Sequence, residues 1–237
     1  MENSKLVLRA RLDIFASHNM MFMYEINAIK KYIRESEQRV AEDQKRFTEY
    51  LNKNLKEVSE ENHGSVYSEL EVPYWHHIRF LPNFMFNSIF ISIDSFVEVN
   101  LITVCNLSCN FFPNQNKPIV NNKTKLKNYV EYLEQEFEIK IQGFKYFQKI
   151  FFYKELRNIF NHRGGWFVDE KLSPALLDQI EKMDGIEVNV HQEYINITSS
   201  KFLFDYIELL NKFFKEVTEK VNATASARFK SFNVKGK

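Results

Sequence analysis

Residues 1 to 63 contain neither glycine nor proline, and the whole chain of 237 residues has only 6 Gly and 5 Pro. A region without either residue lacks the usual helix breakers, so one long helix or a helical hairpin is expected there. Cysteine is scarcer still. Cys105 and Cys109 stand four apart on an expected helix and read as small buried apolar side chains, not as a disulfide framework. No second Cys pair accompanies them, and His18, His63, His76, His77, His162 and His191 lack ligand spacing, so no metal or other cofactor is expected. An excess of charge is missing too. With 32 Lys and Arg against 31 Asp and Glu, net +1, a broad cationic face for duplex DNA is excluded, and any nucleic-acid site must be local. The N-terminus meets Arg9, Arg11 and Asp13 early and shows no secretory apolar run, so the expected compartment is the cytoplasm. The most apolar stretch, Phe84 to Cys105, includes Asn87, Asp94, Glu98 and Asn100. Ionised carboxylates are costly in a bilayer, so a buried core helix is expected and no membrane.

What is abundant is aromatic: 23 Phe and 11 Tyr. Such side chains each bury a large area in cores and at interfaces, and self-association is expected from them. The pattern predicts a mainly helical, all-α fold: a bundle with a long N-terminal helical arm and a small C-terminal β-hairpin. Residues 1–63 form the arm, 64–221 the core, and 222–237 a basic, disordered tail with four basic and no acidic residues. Within the arm Ile26, Ile33, Val40 and Phe47 recur every seven residues among charged neighbours, a seam that could also serve a scaffold. Gly64 to Pro73 is read as a break. Further helices are expected from Pro82 to Leu107, from Lys123 to Ile141, and from Phe144 to Arg163, the last closed by Gly164-Gly165 as a left-handed cap. Alternation of Ile186, Val188 and Val190, then of Ile195 and Ile197, predicts the hairpin near 186–198, and Ser199-Ser200 opens a final amphipathic helix. Asn83, Asn87, Asp94 and Glu98 fall within an arc of about 60° on their helix and read as a solvent stripe. His76-His77 reads as a loop with packed aromatics.

The helix from Phe144 to Arg163 carries the chemistry. With Arg157 at the origin of a helical wheel, Asn161 lies near about 40°, Lys154 about 60°, Asn158 about 100° and His162 about 140°, while Leu156, Ile159 and Phe160 take the other side. Five polar side chains thus share one arc of a helix otherwise spent on core, although Lys154 alone reads as solvated surface. Between Phe144 and Arg163 the basic residues Lys145, Lys149, Lys154, Arg157 and Arg163 face only Glu155. This is the local cationic patch that the balanced total conceals. Cleavage of RNA by its own 2′-hydroxyl needs a proton acceptor, a proton donor and a positive charge on the phosphoryl group. Imidazole serves the first two and a guanidinium fork the third. Residues five apart diverge by about 140° and about 7.5 Å, so one chain's pair clasps a single phosphate poorly, and two copies across a two-fold axis would solve this.

Arg157-Asn158-Ile159-Phe160-Asn161-His162 resembles the Arg-x4-His signature of HEPN-domain proteins, with a polar residue after the Arg. The resemblance implies a HEPN-like helical bundle that dimerises around this helix and acts as a metal-independent endoribonuclease, typically a toxin or antiviral defence effector. It makes Arg157 and His162 the catalytic pair and Asn158 a supporting residue, with Asn161 and Lys154 beside them and Asp94 or Glu98 as the assisting acid of an earlier helix. The partners it implies are RNA, a second copy of the chain, and an antitoxin or other defence protein. A branch of the family carries a modified Tyr two positions after the His. Here that position is Gly164, so such modification is not expected. The alternative function is a non-catalytic helical dimer that binds RNA, a nucleotide or a protein through the same face.

Overall fold

The computed structural model describes residues 2–111, 126–167, 172–189, 191 and 193–235. It is mainly helical, with one small antiparallel hairpin among the described residues. The chain divides into two compact units, Met1–Ala28 with Ile93–Glu155 and Tyr206–Lys237 as the first, Ile29–Ser92 with Leu156–Asp205 as the second.

The stretch without glycine and proline is a single helix, α1 (Glu2–Lys56), not a hairpin. It stops short of Ser59, which is extended and precedes a 3-10 turn at Glu60–Asn62. Ile26, Ile33, Val40 and Phe47 are all buried, so the heptad seam is spent on this chain's own core and is not an open scaffold surface. The break expected from Gly64 to Pro73 is itself helical. It comprises α2 (His63–Glu69) and α3 (Glu71–Tyr74), and Pro73 is tolerated because first-turn amides have no intrahelical partner. A π-helical turn at Trp75–Phe80 then passes into α4 (Leu81–Phe111). His76 and His77 therefore sit in a helix and not in a loop, a correction that arises because nothing between Pro73 and Pro82 breaks the run. Pro82 brings no amide for the carbonyl of Ile78 four residues earlier, and Gln44 Nε2 donates to that oxygen at 3.4 Å instead.

Lys123, the expected start of the third helix, lies outside the described residues. The described helix is α5 (Leu126–Phe137), which ends where Glu138 takes a left-handed φ of 61°. Ile139 N then bonds Leu133 O at 3.2 Å and a 3-10 turn at Ile141–Gly143 follows. The motif helix is α6 (Phe147–Arg163). A helix the sequence reading missed, α7 (Pro174–Glu181), begins with Ser173 Oγ accepting from Leu176 N at 3.2 Å and proline at its first position. That Ser-Pro start before Leu176, Leu177 and Ile180 was a readable cap signal. The hairpin pairs β1 (Ile186–Asn189) with β2 (Tyr194–Ile197), Ile186 opposite Ile197 and Asn189 opposite Tyr194. The final helix α8 (Lys201–Lys235) continues through the stretch read as a disordered tail. Ala223, Ala225 and Ala227 favour helix there, and the next breaker is Gly236.

Each unit has an aromatic core. In the first, Phe22 stacks with Phe96 at 5.4 Å and meets Phe214 at 4.8 Å, while Tyr153 lies flat on Tyr206 at 4.2 Å. In the second, Phe90 meets Phe160 at 5.8 Å and Phe202 at 5.0 Å, both edge to face. The segment Glu71–Cys109 is long and apolar enough to cross a membrane by length and composition, but half of its most apolar window is buried inside the protein.

Candidate functional site

The inner side of α6 in the second unit is fixed by Leu156 and Phe160, both buried, which leaves the opposite side outward. Arg157 is half-buried and its Nη1 donates to Asn158 Oδ1 at 3.3 Å. Asn158, Asn161 and His162 are exposed, with the imidazole in the last turn of the helix. The turn after it ends the helix as the glycines require. Gly164, at φ 58°, bonds through N to Phe160 O at 3.0 Å, and Gly165, at φ 100°, reaches Ile159 O at 3.5 Å. Gly165 is needed for a second reason. A Cβ there would collide with the carbonyl oxygen of Ile195, because the chain beyond the helix runs against β2, with Ile195 N donating to Gly165 O at 2.9 Å. The motif is thus held on a helix whose end is clamped to the hairpin.

Lys154, Asp94 and Glu98 belong to the first unit and form one ion-pair network there. Lys154 Nζ contacts Glu98 Oε1 closely and lies 3.7 Å from Asp94 Oδ2, and Tyr206 Oη donates to Asp94 Oδ1 at 3.4 Å. Lys154 is therefore not the solvated surface lysine the sequence suggested. Its charge is balanced by these carboxylates, so it is a poor cation for an incoming phosphate. The expected solvent stripe on α4 is also overturned. Asn83, Asn87 and Asp94 are buried, because each faces core or a specific polar partner and α4 has packed neighbours on that side. In the second unit Asn83 Nδ2 donates to Tyr194 Oη and Asn83 Oδ1 accepts from Ile197 N at 3.3 Å, tying α4 to β2. Burial pushes the Tyr194 hydroxyl up, with the Asn83 bond opposing. His77 is occupied as well: Nδ1 lies 2.6 Å from Asp43 Oδ2 and its ring stacks on Phe47 at 5.3 Å.

Cys105 is buried and Cys109 half-buried, both free thiols. Cys105 Sγ points to Tyr129 O at 3.8 Å, and Cys109 Sγ meets Tyr132 Oη at 2.5 Å. Burial first, and the neighbouring Cys109 second, push the Cys105 thiol up, so it stays neutral and is no nucleophile. Among the described residues no group of three or more His, Cys, Asp or Glu is placed to hold a metal ion.

Sequence reasoning missed a cleft of about 840 Å3 in the second unit, whose lining includes Gly164 and Trp166, just past the motif. Trp75, Phe80 and Phe84 come to it from the π turn and the start of α4, and Tyr194 from β2. The Trp166 and Tyr194 rings lie 4.8 Å apart. The only available signal was the density of aromatics at positions that a regular α-helical wheel scatters and a π turn gathers. Comparison of the chain with family models, with characterised proteins and with solved structures gives no match.

Proposed function

We propose that the protein is a metal-independent endoribonuclease of the HEPN type. The observation that carries the reading is the arrangement on α6: an exposed imidazole in the last turn, a half-buried guanidinium five residues earlier, and Asn158 holding that guanidinium. In the reaction the ribose 2′-oxygen attacks phosphorus and gives up its proton to a neutral imidazole. The bond from phosphorus to the 5′-oxygen breaks, and that oxygen takes a proton from an imidazolium, leaving a 2′,3′-cyclic phosphate and a free 5′-hydroxyl. Arg157 stabilises the charge that develops on the phosphoryl oxygens. A single imidazole could act first as base and only later as acid. Two copies of the chain, each supplying Arg157 and His162, provide both at once, and an exposed aromatic on the same helix, Phe151, favours such pairing. The family resemblance extends this proposal to a toxin or defence effector in the cytoplasm, with an antitoxin or defence protein as a further partner.

The test is incubation of the purified protein with mixed RNA in chelator. The expected products end in a 2′,3′-cyclic phosphate or its hydrolysis product, and His162→Ala and Arg157→Ala lose cleavage while keeping their helical signal. Arg157→Lys is also severely impaired, because an ammonium keeps the charge and loses the bidentate fork. DNA of the same sequence stays uncut, since it lacks the nucleophile. Cleavage that survives His162→Ala, or acts equally on DNA, leaves the other reading, a helical dimer that binds RNA, a nucleotide or a protein without turnover. The aromatic cleft beside Gly164 favours binding under either reading.

A further inference from the structure

The cleft past the end of α6 has an unusual combination of walls. Trp75, Phe80, Phe84 and Trp166 are each half exposed or more, so flat apolar rings stand open to water on both sides of it. Phe80 and Phe84 are stacked nearly parallel, 13° apart with their centroids at 6.2 Å. Arg79 lies over the Trp75 ring at 5.2 Å and supplies a cation at the same wall. Two amides in the lining are incompletely used. Asn87 is nine-tenths buried and its Oδ1 has no hydrogen-bond partner; Asn196 Oδ1 is buried without one too. A buried acceptor left unpaired costs about 1–3 kcal/mol, so native proteins rarely keep two in one place without something to fill them. Asn83, in the same lining, is engaged at both ends, its Nδ2 by Tyr194 and its Oδ1 by Ile197.

Flat apolar walls take a flat ring, the orphan acceptors take N–H donors, and the cation takes a phosphate. We propose that this cleft binds an unpaired nucleobase of a single RNA strand, with the base stacked against Trp166 and Phe84. Its exocyclic amino group donates to the amide oxygens of Asn87 and Asn196, which are covered in the structure and turn toward the base as it enters, and Arg79 meets the backbone. A base with an exocyclic amino group is required to fill both acceptors, as adenine, cytosine and guanine have, so adenine is preferred over uracil, which has only one ring N–H to offer. The cavity volume is within the range that encloses a ligand of nucleotide size. The π turn has a role in this. It carries Trp75, Arg79 and Phe80 at a spacing wider than a regular α-helix allows, and such turns recur at functional sites. The proposal rests on the nuclease reading for its placement beside the catalytic pair, and makes the cleft the subsite that chooses which nucleotide flanks the cut.

The test uses the full chain carrying His162→Ala, so that RNA is not consumed, and measures binding of fluorescein-labelled oligoadenylate and oligouridylate by anisotropy. Oligoadenylate should bind more tightly, and Trp166→Ala or Phe84→Ala should weaken it about fivefold to a hundredfold, the range that stacking on one aromatic gives. Both rings are largely exposed, and far-UV circular dichroism checks that each variant is folded. Asn87→Leu fills similar volume without an acceptor, and should abolish the preference for adenine while retaining stacking. Binding that is unchanged by both ring substitutions, or that shows no preference for adenine, overturns the proposal even where the wild-type protein cleaves RNA. Cleft-dependent binding without cleavage by the wild-type protein retains the base site and removes the nuclease. Failure of any oligonucleotide to bind, with self-association that Trp166→Ala abolishes, makes the cleft a surface between copies of the chain and overturns the proposal.

Discussion

Replacing Lys154 by Met removes the cation beside a carboxylate that is only 2% exposed, while the thioether keeps most of the aliphatic packing. Two independent arguments set the size of the loss. The Nζ to Oδ2 distance is 3.7 Å, and a pair at that range is worth about 4 kcal/mol at an effective dielectric of about 20. The penalty of the stranded charge is also capped, because Asp94 can take up a proton instead. At pH 7 that costs an ordinary aspartate about 4 kcal/mol, at about 1.4 kcal/mol per pH unit above its reference value. The two limits agree, and retention of the Tyr206 hydrogen bond lowers the outcome to about 3 kcal/mol. The cap gives the loss a pH dependence of definite sign. A carboxyl whose folded-state pKa is raised above its unfolded value costs stability above the unfolded value, and that cost shrinks as pH falls. At pH 5 the cap is only about 1.5 kcal/mol. Urea unfolding of Lys154→Met, followed by far-UV circular dichroism at pH 7 and pH 5, measures both numbers. Adding Asp94→Asn to the variant should recover at least about 2 kcal/mol at pH 7, since no buried charge is then stranded. A loss below about 1 kcal/mol at pH 7, or one that does not shrink at pH 5, would falsify the claim that Lys154 balances the buried charge of Asp94.

The two glycines after the motif should separate cleanly. Gly164→Ala meets open space and bears only the left-handed backbone cost of about 1–2 kcal/mol, whereas Gly165→Ala adds a collision with the Ile195 carbonyl, so its melting temperature should fall much further. Equal shifts for the two would mean that the clamp between helix and hairpin is absent. His18 is held below its ordinary value by burial, against the opposing pull of Glu25. The unfolded chain therefore binds that proton more readily than the folded one, and stability falls as pH drops through about 6.5 toward the folded value. His18→Gln should flatten that part of the profile, and parallel wild-type and variant curves between pH 7 and pH 5 would exclude the effect.

The chain's helical character is legible in its residues alone, because it is written in short-range terms: the lack of breakers over residues 1–63, the apolar spacing of Ile26, Ile33, Val40 and Phe47, and the Gly164-Gly165 cap. The hairpin is legible for the same reason, since alternation over a few residues needs no knowledge of the partner. The sidedness of α6, with Leu156 and Phe160 inward and Asn158, Asn161 and His162 outward, likewise follows from helical geometry alone. What tertiary structure decided is where polar side chains go. A wheel shows that Asn83, Asn87 and Asp94 share a face, but whether water or protein covers that face depends on residues more than a hundred positions away, Tyr194, Ile197 and Tyr206 among them. Lys154 is drawn inward by Asp94 and Glu98, which precede it by more than fifty residues, and no local pattern announces such an attraction. The aromatic cleft depends on a π turn next to Pro82 and on a strand that closes against Gly165, so its rings converge only after the backbone is folded. Local spacing determines which faces a helix has. Long-range packing determines what each face meets, and with it which side chains are left to meet a ligand.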